Sequence, residues 1–200
     1  MSARLTLVAH ASTAATSRVA FGGDEGLEPR GTAAAAAARL RRVTRAVSSP
    51  ARAAVETAAA LGLAATVDAG VADWHLGGWR GRTLDEVAAE HPADVATWLG
   101  DPDAAPHGGE SLIALLARVA DWLTRMDGEG HTVAVTHAAV VRAAVVVTLG
   151  APPAGFWRID VAPLTATVLR GGPERWTVRG TALPLDASSV EGEPRPTSTP

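Results

Sequence analysis

The chain has 200 residues, 47% hydrophobic and 20% charged, which is enough for one domain with a real core and too apolar for a disordered polymer. A formal net charge of −3 and a pI near 6.1 leave no basic surface for nucleic acid. The absence of cysteine excludes disulfides, a thiolate nucleophile and a Cys-ligated metal. All 18 basic residues are arginine, which together with the many Ala and Gly fits the codon bias of a GC-rich genome.

The N-terminal segment LTLVAHAST, Leu5–Thr13, begins as an apolar run fit for a buried strand and carries His10 where that strand should end. Ala11, Ser12 and Thr13 are small and cap-forming, and they open a turn or a helix. Residues 14–30 read as a loop around Phe21-Gly22-Gly23-Asp24. A helix is expected from Thr32 to Val47, with Arg39, Arg41, Arg42 and Arg45 as its solvated face. A short strand at 46–49 stops at Pro50, and a helix then runs to about Leu61 with Gly62 as its C-cap. Residues 66–68 form a weak strand, and DWHLGGWRG (73–81) is a loop. Thr83 and Glu86 make a capping box, and His91-Pro92 separates that helix from one carrying Trp98.

After a Pro/Gly loop, Leu112, Leu115, Leu116, Val119, Trp122 and Leu123 share one face of a helix over 111–126. HTVAVTHAAVVRAA then repeats the first arrangement: a β-branched strand, His137 at its end, and a helix. Residues 156–161, 165–170 and 175–179 are expected to form an antiparallel meander. Its apolar edge is a candidate surface for a homodimer. From Asp186 the composition turns to Ser, Pro, Glu and Thr, so the domain is expected over 1–185, with a disordered tail at 186–200.

The alternation predicts an α/β fold, a mixed, mostly parallel central sheet with helices on both faces. Parallel strands share one carboxyl edge, where such folds place their ligands, so His10 and His137 are expected to meet there. No apolar stretch spans a bilayer, since Arg142 interrupts the longest, and the N-terminus lacks the pattern of a signal peptide. A cytoplasmic protein acting on a small molecule, with no membrane or nucleic-acid partner, is the expectation. The histidines show no HExxH or HxH spacing, so neither a metal nor another cofactor is expected.

Five blocks in order resemble the histidine phosphatase (phosphoglycerate mutase-like) superfamily: LVAHAST, SSPARAAVETA, DWHLGGWRG, PHGGESL and VTHAAVVRA. The resemblance implies two-step phosphoryl transfer through a phosphohistidine. It makes His10 the nucleophile, His137 a phosphate-contacting histidine, and Asp73 the general acid where the family usually has Glu. It places Glu110 and Ser111 at a Gly-Glu-Ser helix start, and His75 and His107 in loops bordering the site.

The departures are equally informative. Ala9 and Ala53 stand where the family carries phosphate-clamping arginines; Arg52 is next to Ala53 but points about 100° away on a helix. Ala11, Ala138 and Ala139 replace glycines, although the backbone N–H groups at Ala138 remain for an anion. Hydrogen bonds to charged groups are worth roughly 1.5–3 kcal/mol each. Two missing arginines therefore predict a rate lower by on the order of 10²–10⁴, unless Arg18 or Arg142 reaches in. Three readings follow: a phosphomonoesterase with an altered phosphate pocket, an enzyme using the His pair for acid/base chemistry on a substrate without phosphate, and a ligand-binding pseudophosphatase. Phosphate affinity is expected to be weak and to strengthen at acidic pH, as His137 charges.

Overall fold

The computed structural model describes residues 3–126, 129–172 and 174–185. The expected tail at 186–200 lies outside the described residues. The strands are β1 (Ala3–Ala9), β2 (Arg45–Ser48), β3 (Thr66–Val67), β4 (His131–Thr136), β5 (Thr165–Gly172) and β6 (Arg175–Pro184). They form one six-stranded sheet in the order β3-β2-β4-β1-β5-β6. Pairing is parallel from β3 through β1 and antiparallel at β1–β5 and β5–β6.

The helices are α1 (Ala14–Arg18), α2 (Pro29–Ala37), α3 (Arg52–Ala60), α4 (Leu84–Glu90), α5 (Pro92–Gly100), α6 (Leu112–Thr124) and α7 (Ala138–Leu149). The period-2 alternation of strand side chains divides the core between two faces. Leu5, Leu7 and Ala134 pack with Leu115, Trp122 and Val141 of α6 and α7. Val8, Val133 and Val135 pack with Ala54 and Ala58 of α3. No helix is long and apolar enough to cross a membrane among the described residues.

Three elements differ from expectation. The second helix runs Pro29–Ala37 rather than 32–47: Pro29 supplies the pre-set φ of a first helical turn, and Ala38 leaves the helix in an extended conformation. Leu40 and Val43 instead reach the core from the connecting loop, and the four arginines are exposed without sharing a helix face. Within the expected loop at 14–30, Thr13 and Thr16 form a reciprocal capping box that closes the five-residue α1. Residues 153–158 are a 3₁₀ helix entered from Pro152 and Pro153, not a strand, so the expected meander is a β5–β6 hairpin. Phe156 is buried in the core there, and Ile159 and Val161 pack against it.

Candidate active site

Ala9 lies opposite Thr136 in the parallel β1–β4 ladder, and the His10 N–H donates to the Thr136 carbonyl at 2.8 Å. His10 and His137 therefore leave the sheet side by side, with ring centroids 5.0 Å apart and planes at 69°. Nδ1 of His10 is 2.9 Å from the Ala11 carbonyl. A carbonyl only accepts, so Nδ1 carries a proton, and in the neutral ring Nε2 holds the lone pair. The fold thus places at the cleft an imidazole whose Nδ1 is occupied by the backbone.

His137 is held from both sides. Its Nε2 is 2.8 Å from Ser49 Oγ, and its Nδ1 is 3.3 Å from Asp73 Oδ2. Ser49 Oγ also accepts the Ala51 N–H at 3.2 Å. Burial lowers the pKa of His137; the Asp73 charge opposes this, while His10 and Arg118 add to it. Burial thus favours the neutral ring, whose Nδ1 lies beside Asp73 Oδ2. His137 lines the cleft with its Nε2 already hydrogen-bonded to Ser49. The lowered pKa moves the acid charging of His137, and any anion affinity that depends on it, to lower pH.

Asp73 is positioned through its backbone. Thr136 Oγ1 donates to the Val71 carbonyl at 2.7 Å. Arg118 on α6 donates to the carbonyls of Gly70 and Ala72, both at 3.0 Å, and of Asp73 at 3.3 Å. The same guanidinium grips Glu110 through both oxygens, at 2.8 and 2.9 Å. Asp73 Oδ1 accepts its neighbour's N–H from Trp74, and its side chain remains 36% exposed, so the carboxyl reaches both His137 and the cleft.

Glu110 thus holds Arg118, and Ser111 caps α6 by accepting the Ala114 N–H; neither is among the residues lining this cleft. The two site loops interlock. Glu110 N–H donates to the His75 carbonyl, and Gly78 N–H to that of His107. A Cβ at Gly109 would strike the His75 carbonyl, which is the physical reason for glycine there. His75 is exposed at a neighbouring hollow, and His107 is buried beside Trp79, its pKa lowered by burial and by His75. Neither lines the main cleft. Arg18 donates to the Gly81 carbonyl at 3.4 Å and does not line it either. Arg52 pairs with Glu56 at 2.7 Å, as its direction on the helix implied.

The cleft has a volume of about 240 Å³. Its floor is His10, Asp73, His137, Ala138 and Ala139, with Ala53 at one side. Arg142 is its one arginine among the described residues; Nε donates to the Ile159 carbonyl at 2.8 Å, which leaves the terminal nitrogens as donors. Ser49 and Arg118 went unremarked as site residues. For Arg118 a signal existed, since it is three residues past Leu115 on the buried face of α6, an unusual place for a lone cation. Among the described residues no group of three His, Asp or Glu is arranged to hold a metal ion.

The model of the histidine phosphatase superfamily, branch 1, matches residues 5–183. A glucosyl-3-phosphoglycerate phosphatase of Mycobacterium tuberculosis is 41% identical over 76 residues, which cover 36% of this chain and 34% of that one. The protein of the same name from Mycolicibacterium vanbaalenii is 33% identical over 121 residues, 53% of each chain. The chain therefore spans about half or less of these curated relatives. The solved native structure of a mycobacterial glucosyl-3-phosphoglycerate phosphatase superimposes with a TM-score of 0.76 at 27% identity, covering 92% of this chain and all of the other.

Proposed function

Given that the chain belongs to the histidine phosphatase superfamily, branch 1, we propose that it is a phosphomonoesterase of small metabolites that works through a phosphohistidine on His10. The observation that supports this is the Nδ1–Ala11 carbonyl contact, which fixes the ring and turns the Nε2 edge away from that bond, with the positioned Asp73 carboxyl in the same cleft. In the first step the Nε2 lone pair forms a bond to phosphorus and the ester P–O bond breaks. The departing oxygen keeps that electron pair and takes a proton from the Asp73 carboxyl. In the second step water attacks phosphorus and gives a proton to Asp73. The N–P bond then breaks with its electrons returning to Nε2, and phosphate leaves.

His137 serves in this scheme by orienting Asp73, with Ser49 hydrogen-bonded to its Nε2. Phosphoryl charge is met by the N–H groups that open α7 at Ala138 and Ala139 and by Arg142. One observation favours the acid/base reading on a substrate without phosphate: among the described residues the cleft sets a single arginine against the carboxylates of Asp24 and Glu25. One assay series decides between them. Turnover of an alkyl and an aryl phosphomonoester is measured for wild type, His10→Ala and Asp73→Asn. The proposal expects His10→Ala to lose both activities by at least about 10³-fold. Asp73→Asn should spare the ester with the better leaving group. Turnover that survives His10→Ala, or a wild type that hydrolyses no phosphomonoester, ends this reading.

A further inference from the structure

Above the floor, the cleft is walled by Phe21, Trp74, Trp98, Phe156 and Trp157. These are both of the chain's phenylalanines and three of its six tryptophans, so aromatic side chains concentrate at this one place. They arrive from separate segments: the loop after α1, the loop of Asp73, α5, and the 3₁₀ turn at 153–158. Their rings form a continuous edge-to-face array. Trp98 and Trp157 are 4.8 Å apart at 74°, Phe156 and Trp157 5.1 Å at 84°, and Phe21 and Trp98 5.7 Å at 87°. Trp74, Trp98 and Phe156 are buried and belong to the core, whereas Phe21 and Trp157 are half-buried, each leaving ring surface at the cleft.

The mouth carries the opposite charge to a phosphate-binding site. Asp24 and Glu25 line it, and Arg142 is the one arginine of the cleft among the described residues. Asp24 Oδ1 also accepts the Arg52 N–H at the start of α3, so a fixed carboxylate already occupies that helix end. Arg52 itself is turned to Glu56. A substrate that brings a second anion, such as a carboxylate, meets like charge at this mouth and finds no second guanidinium among the described residues.

We propose that the cleft selects a phosphomonoester whose alcohol carries a flat aromatic ring and no carboxylate. The ring stacks against Trp157 and Phe21, and the acidic mouth rejects carboxylated phosphates. For turnover the proposal rests on the phosphatase reading; for binding it does not. The test compares 2-phenylethyl phosphate with 3-phosphoglycerate, both alkyl esters, so that leaving-group chemistry does not set the ratio. The expected kcat/KM for the aromatic ester is higher by at least about 10²-fold. Trp157→Ala should lower it by about tenfold, mainly through KM. Asp24→Asn with Glu25→Gln should raise activity on 3-phosphoglycerate by a larger factor than activity on the aromatic ester, narrowing the ratio between them. Equal or greater activity of wild type on 3-phosphoglycerate overturns the proposal. Binding of phenylphosphonate, read by tryptophan fluorescence in wild type and His10→Ala, separates the two failures. Binding that is lost in Trp157→Ala, without turnover of any ester, keeps the aromatic site and removes the phosphatase reading. Absence of phenylphosphonate binding to the wild type overturns the aromatic site. Should Trp157→Ala not fold, Phe21→Ala reads out the same wall.

Discussion

The floor and the wall of the cleft are built on different physical terms. On the floor almost every polar atom already has a protein partner. His10 is held by Ala11, His137 by Ser49 and Asp73, and the Asp73 loop by Thr136 and Arg118. Such a network fixes geometry and leaves one nitrogen, Nε2 of His10, with unused chemistry. On the wall the contacts are edge-to-face ring pairs, which are weaker individually and tolerate different occupants. The difference teaches that reaction type and substrate choice are separable here: the floor is set by strand register, whereas the wall is set by which loops reach the cleft.

The largest expected effect comes from breaking the floor at a residue that does not touch the substrate. Arg118→Ala releases three carbonyls of the Asp73 loop and leaves the Glu110 carboxylate, 15% exposed, without its partner. The expected cost is about 3 kcal/mol in stability. Activity should fall by about 10²-fold, because misplacement near 1 Å is enough for that. Urea unfolding and kcat measure the two. Glu110→Gln keeps a hydrogen-bonding oxygen and should lose less of both. An Arg118→Ala protein with wild-type kcat would show that Asp73 needs no such support.

An intermediate effect sharpens the contrast by adding to the floor what the family carries there. Ala53 lines the cleft, while Ala9 is buried in β1 and does not. Ala53→Arg should therefore raise phosphomonoesterase kcat/KM by about 10–10²-fold, from one charge-assisted hydrogen bond of roughly 1.5–3 kcal/mol. Ala9→Arg should add little and should destabilise. Equal gains from the two substitutions, or none from Ala53→Arg, would show that the phosphoryl group sits elsewhere.

The smallest effect concerns pH and stability. Buried His131 lies between the Thr6 hydroxyl at 2.9 Å and the Arg41 carbonyl at 3.1 Å, which makes it a neutral ring with Nδ1–H donated. Burial lowers its pKa, with Arg4 adding and the carbonyls of Arg41 and Arg42 opposing; His137 on the floor and His107 behind the wall are lowered by burial as well. In each case the unfolded chain takes up protons first as pH falls. The stabilisation is thus complete above the unfolded value near 6.5 and is lost as pH drops from there toward the lowered folded values. Tm should fall between pH 7 and pH 5, and less steeply in His131→Asn. A flat profile would mean that these rings are not held neutral.

Much of the floor was legible in the sequence. His10 and His137 each follow an apolar strand, and parallel strands share an edge, so their meeting follows from topology alone. The capping box at Thr83 and the face of α6 are local signals and stand where expected. The end of α2 was illegible, because a run of alanines has no apolar stripe to mark where packing stops. Residues 156–161 mimic a strand, since Phe156, Ile159 and Val161 are apolar at close spacing, but two preceding prolines set a 3₁₀ turn. The partners of His137 were out of reach, because spacing cannot tell which ring nitrogen meets which side chain. The aromatic wall was hidden for a similar reason: positions 21, 74, 98, 156 and 157 become neighbours only after the sheet and its loops have assembled.

The most direct measurement is a rapid-quench experiment with a phosphorus-labelled phosphomonoester, followed by mapping of the label. The account predicts an acid-labile, base-stable phosphoryl group on Nε2 of His10, absent in His10→Ala and accumulating at the rate of ester cleavage. Hydrolysis that proceeds in the wild type with no label on His10, or with label on another residue, would contradict it.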